Sequence, residues 1–277
     1  MEHQELEARR AQARARAQKR RRRKLWRNVA VAGGALCLAL ALYLGWLAFS
    51  QSRQYKAGEG AYLRLAAQVT QTAAPAAAQA TVGSQGGEAG PGPLVDLEAL
   101  KALTEDAAGW LYCPDTPINY PLVQGTNNSY YMTRLPDGTK NAMGSLFVDY
   151  ENRAFEDDNT IIYGHNMKNG AMFHSLLNYQ QPGYYERHPT MRLTALSGEY
   201  TLELIAGFEI TADPAYYQLN FPTFQDMEAY VASIQAMSDF ASGITPRLGD
   251  KLVTLSTCAY GVADGRYLLV GRLAPSR

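Results

Sequence analysis

The amino-acid sequence predicts a mostly β domain that a single N-terminal transmembrane helix holds outside the cytoplasm. Three observations predict this: a 21-residue segment without charge near the N-terminus, a linker of small residues after it, and eight short runs rich in β-branched and aromatic residues. Such runs, separated by Gly, Pro, Asn and Asp, are typical of an antiparallel barrel or sandwich. The chain has 277 residues, enough for one large or two small domains.

The first segment, 1–28, is strongly basic, with eleven Lys/Arg and three Asp/Glu for a net charge of +8. The remainder carries 15 basic and 23 acidic residues, a net of −8, so the formal charge of the whole chain is zero. An acidic main body argues against nucleic acid as a partner, because phosphate binding needs clustered Lys and Arg. The basic cluster instead adjoins the apolar segment.

Residues 29–49 form that apolar segment, VAVAGGALCLALALYLGWLAF. At about 1.5 Å rise per residue, a helix of this length spans roughly 30 Å, the thickness of a bilayer core. Trp26 and Trp46 stand near its ends, and Lys19–Lys24 (KRRRRK) precedes it. The positive-inside rule keeps this run cytoplasmic and places everything after Phe49 outside. A cleaved signal peptide is the alternative, but its apolar region is usually shorter and ends at a small-x-small site.

The next segment, 50–93, is predicted to join the membrane anchor to the folded domain. Residues 51–67 favour a helix, and 70–93 (TQTAAPAAAQATVGSQGGEAGPGP) favour a flexible stalk because they offer few large apolar side chains to bury. A coil of roughly 24 residues spans on the order of 25–30 Å. We therefore expect the folded domain to begin near Leu94 and to occupy 94–277.

Within that domain we expect one helix near its start, eight strands and two later helices. The first helix is predicted after Leu94, with Asp96 as its cap and Gly109 at its end. The inserted helices are predicted over 223–234, where Thr223 is the cap, and over 171–178. The predicted strands are WLYCP, INYPLVQ, GSLFVDY, NTIIYGH, TMRLTAL, EYTLELIAGFEI, DKLVTLSTC and RYLLVGRL.

The chain has three cysteines, and one of them is placed as a nucleophile would be. Cys37 lies in the apolar segment, which leaves Cys113 and Cys258 in the folded domain. Cys113 lies in an apolar run and fits a buried structural thiol. Cys258 ends the strand KLVTLSTC, and a strand-to-loop junction holds a side chain rigidly yet exposed. A disulfide between the two, or a structural role for Cys258, stays open from these residues alone.

Among the histidines of the domain, His165 closes the strand NTIIYGH and is a candidate acid/base. His174 and His188 have no such placement and are interpreted as structural. His165 and His174 are nine residues apart, which matches no ligand spacing, and no Cys-x-x-Cys occurs, so we expect no metal. The absence of Gly-x-Ser-x-Gly argues against a serine nucleophile.

Arg266 begins the strand RYLLVGRL, eight residues after Cys258. A strand, a short loop and an adjacent strand would bring its guanidinium beside the cysteine sulfur. A permanent charge with five N–H donors is suited to hold a carbonyl oxygen as it becomes anionic. A solvated surface charge is the alternative, and Arg272 in the same strand is placed almost as well.

Taken together, these residues resemble the sortases, cell-surface transpeptidases of Gram-positive bacteria. Thr254–Cys258 (TLSTC) matches the TLxTC signature of that family, and Asn159–Phe173 (NTIIYGHNMKNGAMF) resembles the histidine segment of class B members. Trp110–Met132 and Gly144–Tyr150 also look like class B. The likeness covers about 94–275 and implies an eight-stranded β-barrel with an N-terminal helix and an inserted helix.

The resemblance implies a role for each candidate. Cys258 would be the nucleophile, His165 the acid/base and Arg266 the stabiliser of the oxyanion, with the backbone N–H after Cys258 as a second candidate donor. No residue beside His165 is assigned to orient it, unlike the Asn or Asp of papain-like enzymes. Four further residues would line the groove or contact the substrate peptide: Ser256, Thr257, Asn128 and Met132.

The implied reaction cleaves a C-terminal sorting motif after Thr in secreted proteins, through a thioester, and passes the acyl group to an amine of cell-wall peptide without a cofactor. Motifs of the Asn-Pro-x-Thr and Pro-Pro-x-Thr-Gly types both fit. A pilin-polymerising enzyme, a protease-like enzyme and a non-catalytic surface domain of the same fold stay open as alternatives. A papain-like hydrolase would need an orienting amide or carboxylate next to His165.

Overall fold

The computed structural model describes most of the chain: residues 2–71, 92–211, 213–259 and 264–276. Their contacts divide the chain into two compact units, Met1–Arg53 and Gln54–Arg277. Most of the predicted stalk, 72–91, lies outside the described residues.

A single long helix, α1 (Glu2–Val69), includes both helices that we predict at 29–49 and 51–67. In the first unit its large apolar side chains are exposed on the helix surface, with Trp26 70% and Leu36 72% exposed. By length and composition this helix can cross a membrane. The burial of apolar surface in a bilayer would account for side chains that no protein atoms cover.

The second unit includes the end of α1, which packs on the rest of the unit. Tyr62 and Val69 are buried, and the Tyr62 hydroxyl donates to the Gly144 carbonyl at 2.6 Å. A short strand, β1 (Thr70–Gln71), pairs antiparallel with β2 (Leu94–Val95). The end of α1 thus contacts the barrel through buried side chains, and the domain boundary at Leu94 stays a prediction.

Helix α2 (Leu97–Leu103) starts where we predict, with the Asp96 carboxylate as its cap, but it ends earlier. Gly109, the predicted end, lies instead in β3 (Ala107–Tyr112). A Cβ at this position would sit 2.5 Å from the Thr194 carbonyl oxygen. The glycine therefore allows a neighbouring strand to approach closely, and the predicted helix end is wrong.

Eight strands close into a barrel in the order β10-β8-β7-β3-β4-β5-β6-β9. Each corresponds to one of the eight predicted runs, and the eight-stranded barrel is confirmed. Besides β3, the strands are β4 (Asn119–Val123), β5 (Leu146–Val148), β6 (Asn159–Tyr163), β7 (Thr190–Ala195), β8 (Gly198–Thr211), β9 (Lys251–Cys258) and β10 (Gly265–Pro275).

The barrel is not purely antiparallel, contrary to the prediction from the strand pattern. Two pairs of strands, β4 with β5 and β6 with β9, run parallel. Parallel neighbours need a long crossover connection, and the chain between β6 and β9 carries two further strands and several helices. Alternation of apolar residues reveals a strand but not its direction, so this correction could only come from the structure.

Helix α4 (Phe224–Met237) lies in this crossover and confirms the predicted inserted helix. Thr223 caps it in a capping box with Asp226, since each side chain accepts the backbone N–H of the other. Four side chains at helical spacing form its buried face against β8: Met227, Tyr230, Val231 and Ile234.

The other helices are short. The helix predicted at 171–178 is a 3-10 helix at Phe173–Gln180, and α3 (Tyr184–Arg187) follows it. Further 3-10 turns occupy Tyr131–Thr133 and Pro214–Tyr216. Fully buried aliphatic side chains fill the barrel interior, each worth about 1.5–3 kcal/mol when removed from water; they include Leu111, Leu122, Leu146, Ile162, Leu255 and Leu269.

Candidate active site

Two candidate residues lie at the same rim of the barrel because β6 and β9 run parallel. Pairing of these strands ends with Tyr163 opposite Ser256. Cys258 is the last residue of β9, and His165 lies two residues beyond the end of β6. Parallel strands end at the same edge of a sheet, so the barrel brings the thiol and the imidazole to one place.

The third candidate, Arg266, reaches this rim from an antiparallel strand. The register of β10 on β9 places Arg266 directly opposite Cys258. Side chains opposite each other in an antiparallel pair share a face, with Cβ atoms about 4.5–5.5 Å apart. Most of the connecting loop, 260–263, lies outside the described residues.

The other arginine of β10 has different partners. Arg272 forms ion pairs with Glu203 at 2.7 Å and with Asp250 at 3.2 Å. Arg266 forms no ion pair with any carboxylate of the described residues, and its Nη1 donates to the Gly265 carbonyl at 2.9 Å. Of the two arginines of β10, Arg266 is therefore the one whose guanidinium faces the rim without a carboxylate partner among the described residues.

A cleft of about 290 Å³ opens at this rim, and all seven predicted site residues line it. Three further residues of the described part of the chain, which we did not predict, also line it: Phe147, Tyr163 and Gly164. A larger hollow of about 390 Å³ lies between the end of α1 and the loop at 169–171, and neither a cysteine nor a histidine lines it. The smaller cleft is therefore the one with a nucleophile, an acid/base group and a cation.

A main-chain carbonyl orients His165, where the sequence offers no side chain for this purpose. His165 Nε2 lies 2.6 Å from the carbonyl oxygen of Met132. Because a carbonyl can only accept, Nε2 carries the proton. The Tyr131–Thr133 turn that presents this carbonyl is held in turn by the backbone N–H of Ser145, which donates to Tyr131 at 2.9 Å.

The backbone N–H after Cys258, which we considered as an oxyanion donor, is already used. The Ala259 N–H donates to the Gly265 carbonyl at 2.9 Å, and the same oxygen accepts from Arg266. In this arrangement the N–H of Ala259 is already bonded, and its part in holding an oxyanion stays a prediction. Among the described residues at this point of the cleft, the guanidinium of Arg266 offers further N–H donors.

Ser256 and Thr257 both line the cleft, but their hydroxyls are engaged with protein groups. Thr257 Oγ1 donates to the Gly164 carbonyl at 2.8 Å, which ties β9 to the end of β6. Ser256 Oγ lies 3.0 Å from the hydroxyl of Tyr217. Tyr217 belongs to the segment before α4, and burial raises its pKa while the nearby charge of Arg266 opposes that rise.

Asn128 is held in the cleft lining by an aspartate that the sequence did not single out. Asn128 Nδ2 donates to Asp149 Oδ2 at 2.8 Å, and the Tyr163 hydroxyl donates to the same oxygen at 2.9 Å. Burial, and then the Asp149 charge, raise the pKa of Tyr163. The buried carboxylate of Asp149 thus fixes two side chains of the cleft. The Met132 side chain, by contrast, is 45% exposed.

The remaining candidates of the sequence analysis lie away from the cleft lining. Cys113 is fully buried, and His174 Nδ1 donates to the Asn166 amide oxygen at 2.7 Å. Burial, as the largest cause, lowers the pKa of His188. Among the described residues, no three His, Cys, Asp or Glu side chains come together as metal ligands.

Known proteins match this chain over the region that forms the barrel. A family model described as the sortase domain matches residues 111–274. The sortase B of Listeria monocytogenes is 37% identical over 181 residues, which are 64% of this chain and 74% of that protein.

Solved structures agree with the sequence matches. A sortase B–substrate complex from Staphylococcus aureus superposes with a TM-score of 0.62 at 28% identity, covering 66% of this chain and 86% of that one. Sortase B from B. anthracis gives a TM-score of 0.67 at 27% identity, covering 81% of this chain and 99% of that one.

Proposed function

The chain belongs to the sortase family of cysteine transpeptidases, in class B, and from this membership we propose that it cleaves secreted proteins at a C-terminal sorting motif and joins them to an amine. The observation that carries the proposal is the convergence of Cys258, His165 and Arg266 on one cleft. The parallel β6–β9 pair and the antiparallel β9–β10 pair produce it. Cys258 acts as nucleophile, His165 as acid/base and Arg266 as oxyanion stabiliser.

In the first half of the reaction, the Cys258 thiolate attacks the carbonyl carbon of the Thr before the scissile bond. A C–S bond forms, and the carbonyl oxygen becomes an oxyanion that accepts from the guanidinium of Arg266. Collapse of this intermediate breaks the C–N bond. Protonated His165 transfers its proton to the departing amine, and a thioester remains on the enzyme.

The Met132 carbonyl holds the imidazole of His165 by a hydrogen bond. Its oxygen lies 2.6 Å from Nε2 and accepts from the N–H at this nitrogen. The contact also limits rotation of the ring. It therefore supplies the orientation that papain-like enzymes obtain from an Asn or Asp side chain.

In the second half, an amine attacks the thioester carbonyl. A new C–N bond forms, the C–S bond breaks, and His165 now accepts the proton that the amine loses. The thiolate of Cys258 returns, so the cycle needs no cofactor. We propose an amine of cell-wall peptide as the acceptor; a pilin amine would undergo the same chemistry.

Groove residues then select the peptide. Asn128, Met132, Ser256 and Thr257 all line the cleft, and we propose that the sorting peptide binds along them. Asn128 keeps one N–H for a substrate carbonyl, since the other is bound to Asp149.

The N-terminal helix supports a location at the membrane. We propose that 29–49 spans the bilayer, that the basic segment 1–28 stays in the cytoplasm, and that 94–277 forms the catalytic domain outside, after the connecting segment 50–93. The basic run before the apolar segment supports this orientation. An enzyme so placed meets exported proteins as they leave the membrane.

Cleavage of a peptide library by the full chain in detergent micelles tests the proposal. Peptides with Thr before the scissile bond, including Asn-Pro-x-Thr and Pro-Pro-x-Thr-Gly sequences, should be cleaved, and hydroxylamine should divert the product to a hydroxamate. Cys258→Ala should give neither product. No hydroxamate from the unaltered chain, or an unchanged rate in Cys258→Ala, would overturn the proposal.

A further inference from the structure

The peptide bond that follows Cys258 is held at both of its polar atoms. Asn166 Nδ2 donates to the Cys258 carbonyl at 2.8 Å, and the Ala259 N–H donates to the Gly265 carbonyl at 2.9 Å. Turning this peptide plane requires both hydrogen bonds to break. Asn166 directly follows His165 in the chain, so one of the two contacts joins the nucleophile to the segment of the acid/base residue.

Asn166 also extends the connection between β6 and β9 beyond the last paired residues of the two strands. The Gly164 N–H donates to the Ser256 carbonyl at 3.1 Å, and Thr257 Oγ1 donates to the Gly164 carbonyl at 2.8 Å. The Asn166 amide then makes the last contact of this series, with the carbonyl of the nucleophile. This side-chain contact adds to the main-chain hydrogen bonds that hold the segment, among them the Phe173 N–H, which donates to the His165 carbonyl at 3.0 Å.

A second histidine determines which way the Asn166 amide points. The Cys258 carbonyl can only accept, so the nitrogen of the Asn166 amide must face it. The amide oxygen then faces His174, whose Nδ1 lies 2.7 Å away and must carry a proton to donate. Asn166 is 7% exposed, so water competes little for these groups.

We propose that Asn166 is a positioning residue of acyl transfer, and that His174 fixes its orientation. The inference rests on the proposed function. Asn166 does not line the cleft, so it acts through Cys258 and His165 rather than on the substrate. Its loss should slow the chemical step and leave peptide binding largely intact.

Asn166→Asp gives the sharpest test, because it keeps the shape of the side chain and its acceptor for His174 but removes the donor to Cys258. Misplacement of reacting groups by about 1 Å can cost on the order of 100-fold in rate, so we expect kcat of peptide cleavage to fall roughly 10–100-fold. KM should stay within about twofold of the unaltered chain, since uniform binding is untouched. Asn166→Ala should likewise lower kcat and leave KM nearly unchanged.

His174 provides a matched pair. In His174→Asn the amide nitrogen can take the place of Nδ1 and donate to Asn166, whereas His174→Leu fills the site without a donor. His174→Asn should therefore keep several-fold more of kcat than His174→Leu at similar Tm. Equal losses in the two variants would overturn the role of His174.

All variants are measured as full chains in detergent micelles, with Tm and hydroxamate yield recorded beside kcat and KM. If the unaltered chain forms no hydroxamate, the proposed function itself fails. If it does, and Asn166→Asp and Asn166→Ala keep kcat within about twofold, the positioning role alone is overturned. The positioning role would also be overturned if kcat fell only together with a fall in Tm and a rise in KM, because that pattern indicates a general loss of structure.

Discussion

The surroundings of Cys113 and of Cys258 differ more than their positions in the chain suggest. Both cysteines stand at the end of a barrel strand, Cys113 directly after β3 and Cys258 as the last residue of β9. Cys113 is fully buried in the core, and burial is the main cause that raises the pKa of its thiol to about 11. Cys258 is half-buried and lines the cleft, with Arg266 opposite it.

This difference shows that the end of a strand does not by itself make a nucleophile. At Cys113 the thiol has the hydroxyls of Thr116 and Tyr179 as hydrogen-bonding neighbours, and the charge nearby is the negative one of Asp115. At Cys258 the strand directions bring a guanidinium and an imidazole to the same rim. A thiolate is favoured by neighbouring cations and disfavoured by apolar burial, so only the second region suits catalysis.

Removal of each thiol tests this comparison of the two cysteines, and it should produce the largest change in the rate of peptide cleavage. Cys258→Ala should lower the rate of peptide cleavage by at least roughly 10³-fold, since loss of a nucleophile removes the covalent route. Cys113→Ala should keep the rate and lose stability instead. The rates of cleavage by the two full-length variants decide this, and a large rate loss in Cys113→Ala would break the contrast.

Exchange of the two arginines of β10 comes next. Arg266→Lys should lower turnover by roughly 10²–10³-fold if its guanidinium holds the oxyanion. Arg272→Lys is the matched control, because its ion pairs with Glu203 and Asp250 are structural, and it should change Tm rather than kcat. A normal turnover in Arg266→Lys would move the oxyanion role elsewhere.

The dependence of stability on pH sharpens the account of Cys113. Its folded-state pKa of about 11 lies above its ordinary value of 9.0. The stability that burial of the neutral thiol contributes is thus present below pH 9 and lost as the pH rises towards 11. Over this window the unaltered chain should lose up to about 2–3 kcal/mol more than Cys113→Ala.

Denaturant unfolding at several pH values with a reductant present measures this difference. Burial is the main cause that raises the pKa of Tyr179 and Tyr184, and Cys113 raises both further, so the ionisation of these two tyrosines contributes to the measured difference. The ionisation of the other buried tyrosines is common to both proteins. If the free energy of unfolding depends on pH in the same way in both proteins, the Cys113 thiol is not a buried group with a raised pKa.

Replacement of two threonines, one near each cysteine, should have the smallest effect, and each variant serves as a control for the other. Thr116 Oγ1 donates to the Cys113 carbonyl at 2.9 Å, and Thr257 Oγ1 donates to the Gly164 carbonyl at 2.8 Å. Replacement of either by Val should lower the free energy of unfolding by about 0.5–1.5 kcal/mol. Only Thr257→Val should also lower kcat, since only that hydroxyl ties the strand of the nucleophile to β6. A kcat loss in Thr116→Val would contradict this.

Much of the fold could be predicted because local chemistry determines it. The eight strand runs, the cap of α4 at Thr223 and its buried face were all readable from residue spacing. The direction of β6 relative to β9 was not, since it depends on the crossover between them. The prediction of a helix end at Gly109 is wrong because glycine is favoured both at a helix end and where strands approach closely, so the residue type does not distinguish the two.

The candidate site was predictable in its side chains and not in its main-chain contacts. Cys258, His165 and Arg266 stand at strand ends within recognisable segments. The Met132 carbonyl at His165 and the Gly265 carbonyl at Arg266 leave no mark on the sequence, because every residue has a carbonyl. Asn166 and Asp149 join segments distant in the chain, and single residues of these types are common in loops.

Direct localisation of the acyl group tests the central claim, that Cys258 rather than Cys113 carries the substrate. The full chain is mixed with a cleavable peptide, quenched in acid, digested and examined by mass spectrometry. We predict an acyl adduct on the fragment that contains Cys258, released by hydroxylamine and absent in Cys258→Ala. An adduct on Cys113, or peptide turnover with no adduct on Cys258, would contradict the account.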